Sequence, residues 1–104
     1  MKEISVSEYH RWRTENKKHV LIDVRFAEEK ETADLGGQLI PLPELERRWR
    51  EIPDDKGHVV IYCHHGVRSL HAVHFLERQG LEAVSLAGGI DAWSRQIDPH
   101  IALY

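Results

Sequence analysis

The sequence holds one cysteine, one methionine and two phenylalanines. A single cysteine excludes an internal disulfide and any zinc or iron–sulfur site built from several thiolates. Cys63 is left with three readings: a buried apolar residue, a reactive thiol, or a thiol paired with another chain. Long hydrophobic runs are missing as well. The longest strictly apolar stretch is "VVIYC", far short of the roughly 20 residues that a bilayer-crossing helix needs. The opening "MKEISVSEYH" lacks the apolar centre of a secretory leader, so a cytoplasmic protein without a membrane partner is expected. Neither sign of charge dominates: the net charge is −3 with histidines neutral. No basic patch accompanies Trp12, Trp49 and Trp93, which read as packing residues, and a nucleic-acid partner is not expected. Low-complexity runs, linkers and internal repeats are absent too.

What remains fits a single domain spanning residues 1–104, long enough for a modest core. Apolar residues make up 41% and charged residues 30%, ordinary values for a soluble globular domain. The coarse pattern alternates strand and helix. "EIS" reads as a short first strand. Ser7 is placed as the N-cap of a helix over "EYHRWRTEN", with Tyr9 and Trp12 on one face. "HVLIDV" is an apolar run interrupted by an acid, and reads as a buried strand. "RFAEEKETADLGG" is a short helix or turn followed by a loop, and "QLIPL" another short strand. "PELERRWREI" is expected to be helical, with Pro43 near its start and Leu45 and Trp49 one turn apart. "HVVIYC" is the strongest strand pattern. "RSLHAVHFLERQG" follows as a helix closed by Gly80. "LEAVSL", the turn "AGG" and the helix "IDAWSRQI" complete the body. Composition does not decide whether "PHIALY" packs on the body or reaches a neighbour. Such alternation, with short two-sided apolar strands, predicts an α/β fold: a mainly parallel sheet covered by helices on both faces. Ligands bind such sheets beyond the carboxyl ends of the strands, and Cys63 falls at one of those ends.

The segment after Cys63 suits an anion. A thiol reacts as its thiolate. If "HHGVRS" curls back into a helix start, several backbone N–H groups face one concavity and favour negative charge there. Gly66 permits the turn. Arg68 brings a permanent charge and a fork of donors for oxyanions. His64 and His65 offer donors and, near or below a pH of about 6.5, further charge. The loop from Cys63 to Arg68 is Cys-x4-Arg, one residue shorter than the Cys-x5-Arg cradle of cysteine-dependent phosphatases. That smaller ring suits one added sulfur atom better than a phosphoryl group.

These residues resemble a known family. "LIDVR" (21–25) followed by acids, "ADLGGQLIPLPEL" (33–45), "VVIYCHHGVRS" (59–69) and "LAGGIDAW" (86–93) together make the chain similar to a single-domain rhodanese-type sulfurtransferase. The resemblance covers nearly the whole chain. It implies a rhodanese-like central parallel sheet of about five strands wrapped by helices. It also implies that Cys63 is the persulfide-forming nucleophile, with His64, His65, Gly66, Val67, Arg68 and Ser69 as the loop that binds a small anionic sulfur donor, thiosulfate or a persulfide. A thiol or a sulfur-relay protein would accept the sulfur from outside, since the chain has no second cysteine to resolve the persulfide. No cofactor is expected. The chain departs from the family pattern at "DVRFAEEKE", which lacks a frequent proline, and at "ADLGGQL", which lacks a Gly–His pair. An idle binding module with the same fold is the alternative, and an intact Cys63 and Arg68 favour the enzyme. A small phosphatase or arsenate reductase is disfavoured by the short loop.

Other candidates have plainer readings. Asp23 and Arg25 end a strand near the Cys63 loop; Asp23 either accepts hydrogen bonds from that loop or caps its own turn. His71 and His74 lie three apart on a helix and, with Cys63 and His64, raise a zinc reading, but the spacing matches no standard zinc pattern. Gly88 and Gly89 read as a turn requiring positive φ rather than as a phosphate loop.

Overall fold

A computed structural model describes residues 2–55 and 57–104. Strand β1 (Glu3–Ile4) leads directly into helix α1 (Val6–Thr14). Ser5, not Ser7, is the cap: its Oγ accepts from the Glu8 amide at 3.1 Å. The reason is local. Val6 and Tyr9 must both be buried, so the helix starts as soon as β1 ends, and Ser5 is the extended residue at the junction. Strand β2 (His19–Asp23), helix α2 (Ala27–Thr32) and strand β3 (Gln38–Leu39) follow. The segment expected to be one helix winds as a 3-10 turn (Leu42–Glu44), a single α turn α3 (Leu45–Arg48) and a second 3-10 turn (Trp49–Glu51). Strand β4 (His58–Tyr62), helix α4 (Val67–Arg78), strand β5 (Val84–Leu86) and helix α5 (Gly89–Gln96) complete the domain.

The five strands form one parallel sheet in the order β1-β5-β4-β2-β3. Alternation along β4 divides the core. Val59, Ile61 and Cys63 face one side, where Leu45 of α3 and Ala72, Val73 and Leu76 of α4 pack on them. Val60 and Tyr62 face the other, against Tyr9 and Trp12 of α1 and Ile90 and Trp93 of α5. The expected α/β architecture, with helices on both faces, is the one observed. No helix of the described residues is long and apolar enough to cross a membrane.

The pleat also explains why Asp23 does not serve the Cys63 loop. Asp23 is in register with Tyr62, so both side chains point away from the face that carries Cys63. Asp23 accepts instead from Arg25, through Nε at 2.9 Å and Nη2 at 2.8 Å, and from the Arg25 amide at 3.0 Å. The Tyr62 hydroxyl donates to it at 3.0 Å. Both ionic side chains are wholly buried. Burial works against the Arg25 charge, but hydrogen bonds to Asp23 and Tyr104 outweigh it and hold the guanidinium protonated. Burial, followed by the Asp23 charge, pushes the Tyr62 hydroxyl pKa up, so it stays a donor.

Removing one partner of such a pair leaves an uncompensated buried charge. Asp23→Ala is therefore expected to lower the unfolding free energy by about 3–5 kcal/mol, read from the urea midpoint. A loss below about 1 kcal/mol would show that the pair is not the buried ionic contact described.

Candidate active site

Cys63 follows the last residue of β4, at the carboxyl edge of the sheet, and is 1% exposed. The next residues turn sharply so that α4 can start at Val67. Gly66 makes the turn in the left-handed region (φ 104°) as the residue before the helix. A β-carbon there would lie 3.1 Å from the Gly88 amide nitrogen. The turn brings two amides onto the sulfur: Gly66 N at 3.1 Å and Ser69 N at 3.3 Å from Sγ. Both belong to the amino-terminal turn of α4, whose dipole adds to their pull on negative charge. Ser69 Oγ lies 3.4 Å from Sγ and 2.6 Å from the buried Ser85 Oγ of β5. The sulfur thus sits in a cradle of N–H and O–H groups suited to a thiolate or an atom bonded to it.

With its amides turned inward, the loop presents carbonyls outward, and α5 receives them. The Ile90 amide donates to the Cys63 carbonyl at 2.9 Å and the Asp91 amide to the His64 carbonyl at 3.1 Å. Gly89 immediately precedes these two donors. A β-carbon on it would collide with both of those carbonyl oxygens, and its φ is +64°. The expectation that Gly88 and Gly89 form a turn with positive φ holds. The closeness of that turn to the Cys63 loop is a structural finding.

The remaining loop residues differ in what they offer. Val67 is 67% exposed, so its side chain points away from the sulfur. It forms part of an open groove of about 430 Å³ with His65, Leu70, His71 and His74. His65 is exposed and His64 partly buried. Their rings stack at 3.8 Å, and the opposite face of His64 carries Tyr104, also at 3.8 Å and nearly parallel. Burial, then the neighbouring His65, lowers the His64 pKa. His64 is thus harder to charge than a free imidazole, which weakens its part in the positive charge expected near or below a pH of about 6.5. "PHIALY" therefore packs on the body.

The His71 and His74 grouping with Cys63 and His64 is not formed. Among the described residues, the groups that gather are His64, His65 and Asp91, with ligand atoms within 4.8 Å of one another. The two rings are stacked on each other, and Asp91 is already engaged by Arg95 Nε at 2.9 Å.

Arg68 is where the structure adds most. Its guanidinium is clasped by Glu29 of α2, with Nη1 donating to Oε1 at 2.7 Å and Nη2 to Oε2 at 2.8 Å. Hydrogen bonds from Arg68 outweigh partial burial and, with the Phe26 amide and the Tyr104 hydroxyl, hold the Glu29 pKa down at about 2. Tyr104 is the bridge to the buried pair: Arg25 Nη1 donates to its hydroxyl at 2.9 Å, and that hydroxyl donates to Glu29 Oε2 at 2.8 Å. Arg25 thus connects to Arg68 of the Cys63 loop through Glu29, which its Nη1 reaches directly at the carbonyl (3.3 Å) and by way of the Tyr104 hydroxyl. The sequence reading noted the acids after "DVR" but did not pair Glu29 with Arg68, and it gave Tyr104 no role. Their partners lie 39 and 75–79 residues away.

The comparisons agree with this architecture. The family model for the rhodanese-like domain matches residues 5–96, and the chain belongs to that family. It is 39% identical to a sulfurtransferase of Allochromatium vinosum over 80% of this chain and 78% of that one. It is 36% identical to the probable adenylyltransferase/sulfurtransferase MoeZ of Mycobacterium tuberculosis over 97% of this chain, although it spans only about a quarter (26%) of MoeZ. Among solved structures, a rhodanese-related protein from Thermoplasma volcanium superposes with a TM-score of 0.85 at 30% identity, with both chains fully covered.

Two outcomes are expected. Gly89→Ala should destabilise the protein by more than the roughly 1–2 kcal/mol of a left-handed alanine alone, because the loop carbonyls must also move. Thermal unfolding with a loss no larger than that would show that α5 does not abut the loop. Glu29 is more acidic folded than unfolded. Its contribution to stability is complete above the ordinary value of 4.5 and is lost as pH falls toward 2. Urea titrations between those pH values should show a shallower pH dependence in Glu29→Gln than in the native protein.

Proposed function

We propose that the protein is a sulfurtransferase that carries a sulfane sulfur on Cys63. The observation that supports this reading most is the placement of Sγ between the Gly66 and Ser69 amides at the start of α4, 3.1 and 3.3 Å away. In the first half-reaction the Cys63 thiolate attacks the outer sulfur of thiosulfate or of a low-molecular-weight persulfide. The new S–S bond forms as the old one breaks, and the bonding pair departs with sulfite or with the donor thiolate. The outer sulfur of the resulting persulfide is anionic, and the amides that face Sγ lie where they can hold it. In the second half-reaction a nucleophilic acceptor attacks that sulfur and regenerates the Cys63 thiolate. Such covalent catalysis is ping-pong.

Arg68 lies in the Cys63 loop with its side chain partly exposed and suits the anionic end of the donor. Arg25 is enclosed and supports the site indirectly. The acceptor comes from outside the chain, because Cys63 is its only cysteine. A small thiol or a sulfur-relay protein fits, and the groove formed by His65, Val67 and Leu70 beside the loop offers a route of approach. The names of the MoeZ and Allochromatium relatives accord with this class of chemistry. A cytoplasmic setting, where thiols are kept reduced, suits a reactive lone cysteine.

Intact mass tests the reading. After thiosulfate or persulfide treatment the native protein should gain about 32 Da, one sulfur, which cyanide should remove and which Cys63→Ser should never acquire. No gain with either donor would sink the enzyme reading in favour of a binding module.

A further inference from the structure

Arg68 is the donor-binding cation in the reading above, yet in this structure its fork is already filled. The Glu29 carboxylate accepts from both terminal nitrogens, at 2.7 and 2.8 Å. Each carboxylate oxygen has a second donor: the Phe26 amide reaches Oε1 at 3.1 Å, and the Tyr104 hydroxyl reaches Oε2 at 2.8 Å. Tyr104 is itself fixed by Arg25 and by its stack on His64. Glu29 is therefore a built-in carboxylate with four donors, not a surface ion pair formed in passing. The Arg68 and Glu29 side chains are 29% and 18% exposed, so the pair lies at the mouth and not in the core. Two oxygens of a carboxylate present the same edge to a guanidinium as two oxygens of a sulfonate group. An incoming sulfonate and Glu29 compete for one fork.

We propose that Glu29 is the residue that sets donor specificity, an internal anion occupying the Arg68 fork that an anionic sulfur donor must displace. The proposal rests on Cys63 as the sulfur-carrying nucleophile and names what governs access to it. Donors that bind through a sulfonate, thiosulfate above all, pay for breaking the Glu29–Arg68 clasp. Neutral donors do not need the fork and escape that cost. Tyr104 strengthens the selection by holding Glu29 in place from the side away from Arg68.

The test uses two alkylating reagents that differ chiefly in charge, iodoacetate and iodoacetamide. Modification is followed by intact mass, and Cys63 is the only thiol. Glu29→Gln keeps the side-chain shape and an acceptor for Phe26 but frees the Arg68 fork for an anion. The ratio of the iodoacetate rate to the iodoacetamide rate should rise about tenfold in Glu29→Gln. The rise should vanish in Glu29→Gln combined with Arg68→Gln, which shows that the fork carries it. Tyr104→Phe, which keeps the stack and loses only the hydroxyl, should move the ratio the same way by about two- to threefold. Glu28→Gln makes the same change in net charge at an exposed neighbour and should move it less than twofold. An unchanged ratio in Glu29→Gln, or an equal rise in Glu28→Gln, overturns the proposal. These rates need no sulfur transfer, so a failure here is distinct from a failure of the persulfide reading. In steady-state assays, Glu29→Gln should lower KM for thiosulfate by a similar factor with a smaller change in kcat; an unchanged KM counts against the proposal.

Discussion

The site depends on where two carbonyl groups point. A loop that turns its amides toward Sγ must turn carbonyls the other way, and buried carbonyls need donors. Those of Cys63 and His64 find them in the Ile90 and Asp91 amides, the otherwise unpartnered first-turn donors of α5. One pair of hydrogen bonds therefore satisfies a loop and a helix end at once. The arrangement works because β5 lies beside β4, with Ile61 opposite Ser85, which brings the turn after β5 level with the loop after β4. The missing β-carbon of Gly89 permits the remaining approach. The Ser69–Ser85 hydroxyl contact ties the first turn of α4 to β5 beside them.

A second constraint is electrostatic. The sheet buries a full ion pair at the end of β2, and burial of that kind is not in itself a net source of stability. Its value lies in what it orients. Arg25 gives two of its nitrogens to Asp23, and a third carries a hydrogen bond out to Tyr104. Tyr104 passes the polarity on to Glu29, and Glu29 to Arg68. The charges alternate from the core to the mouth: Asp23, Arg25, then Glu29 and Arg68, with one hydroxyl between the pairs. Only the outer pair, Glu29 and Arg68, meets solvent. The buried cation keeps its place and the outer one remains exchangeable, a division that burial alone enforces.

The histidines show how context changes a residue's chemistry. As residues in a loop, His64 and His65 offer charge near or below a pH of about 6.5. Packed between His65 and Tyr104, His64 loses hydration and gains a cationic neighbour whenever His65 is protonated, and both effects favour its neutral form. It serves as one leaf of an aromatic stack that carries Tyr104 over the loop, while Arg68 supplies a permanent positive charge.

The alternation of short apolar strands with amphipathic helices was enough to determine the parallel sheet and its two covered faces, because pleat and helix periods are local properties. The run from "VVIYC" into "GVRS" was likewise enough to place a thiol at a strand end beside a helix start. Local reading failed where a few residues decided the outcome, at the Ser5 cap and in the broken winding around α3. Of the two readings open for Asp23, the structure shows the capping of its own turn, through the Arg25 amide; one strand could not decide this, because register, which orders side chains by face, is a property of two strands. The clasp of Glu29 on Arg68, the docking of Gly89 against the Cys63 loop and the place of Tyr104 were decided by tertiary structure alone. Each joins residues far apart in the chain through contacts of about 3 Å, and no pattern along a sequence encodes such a distance until the sheet has set the heights of its strand ends.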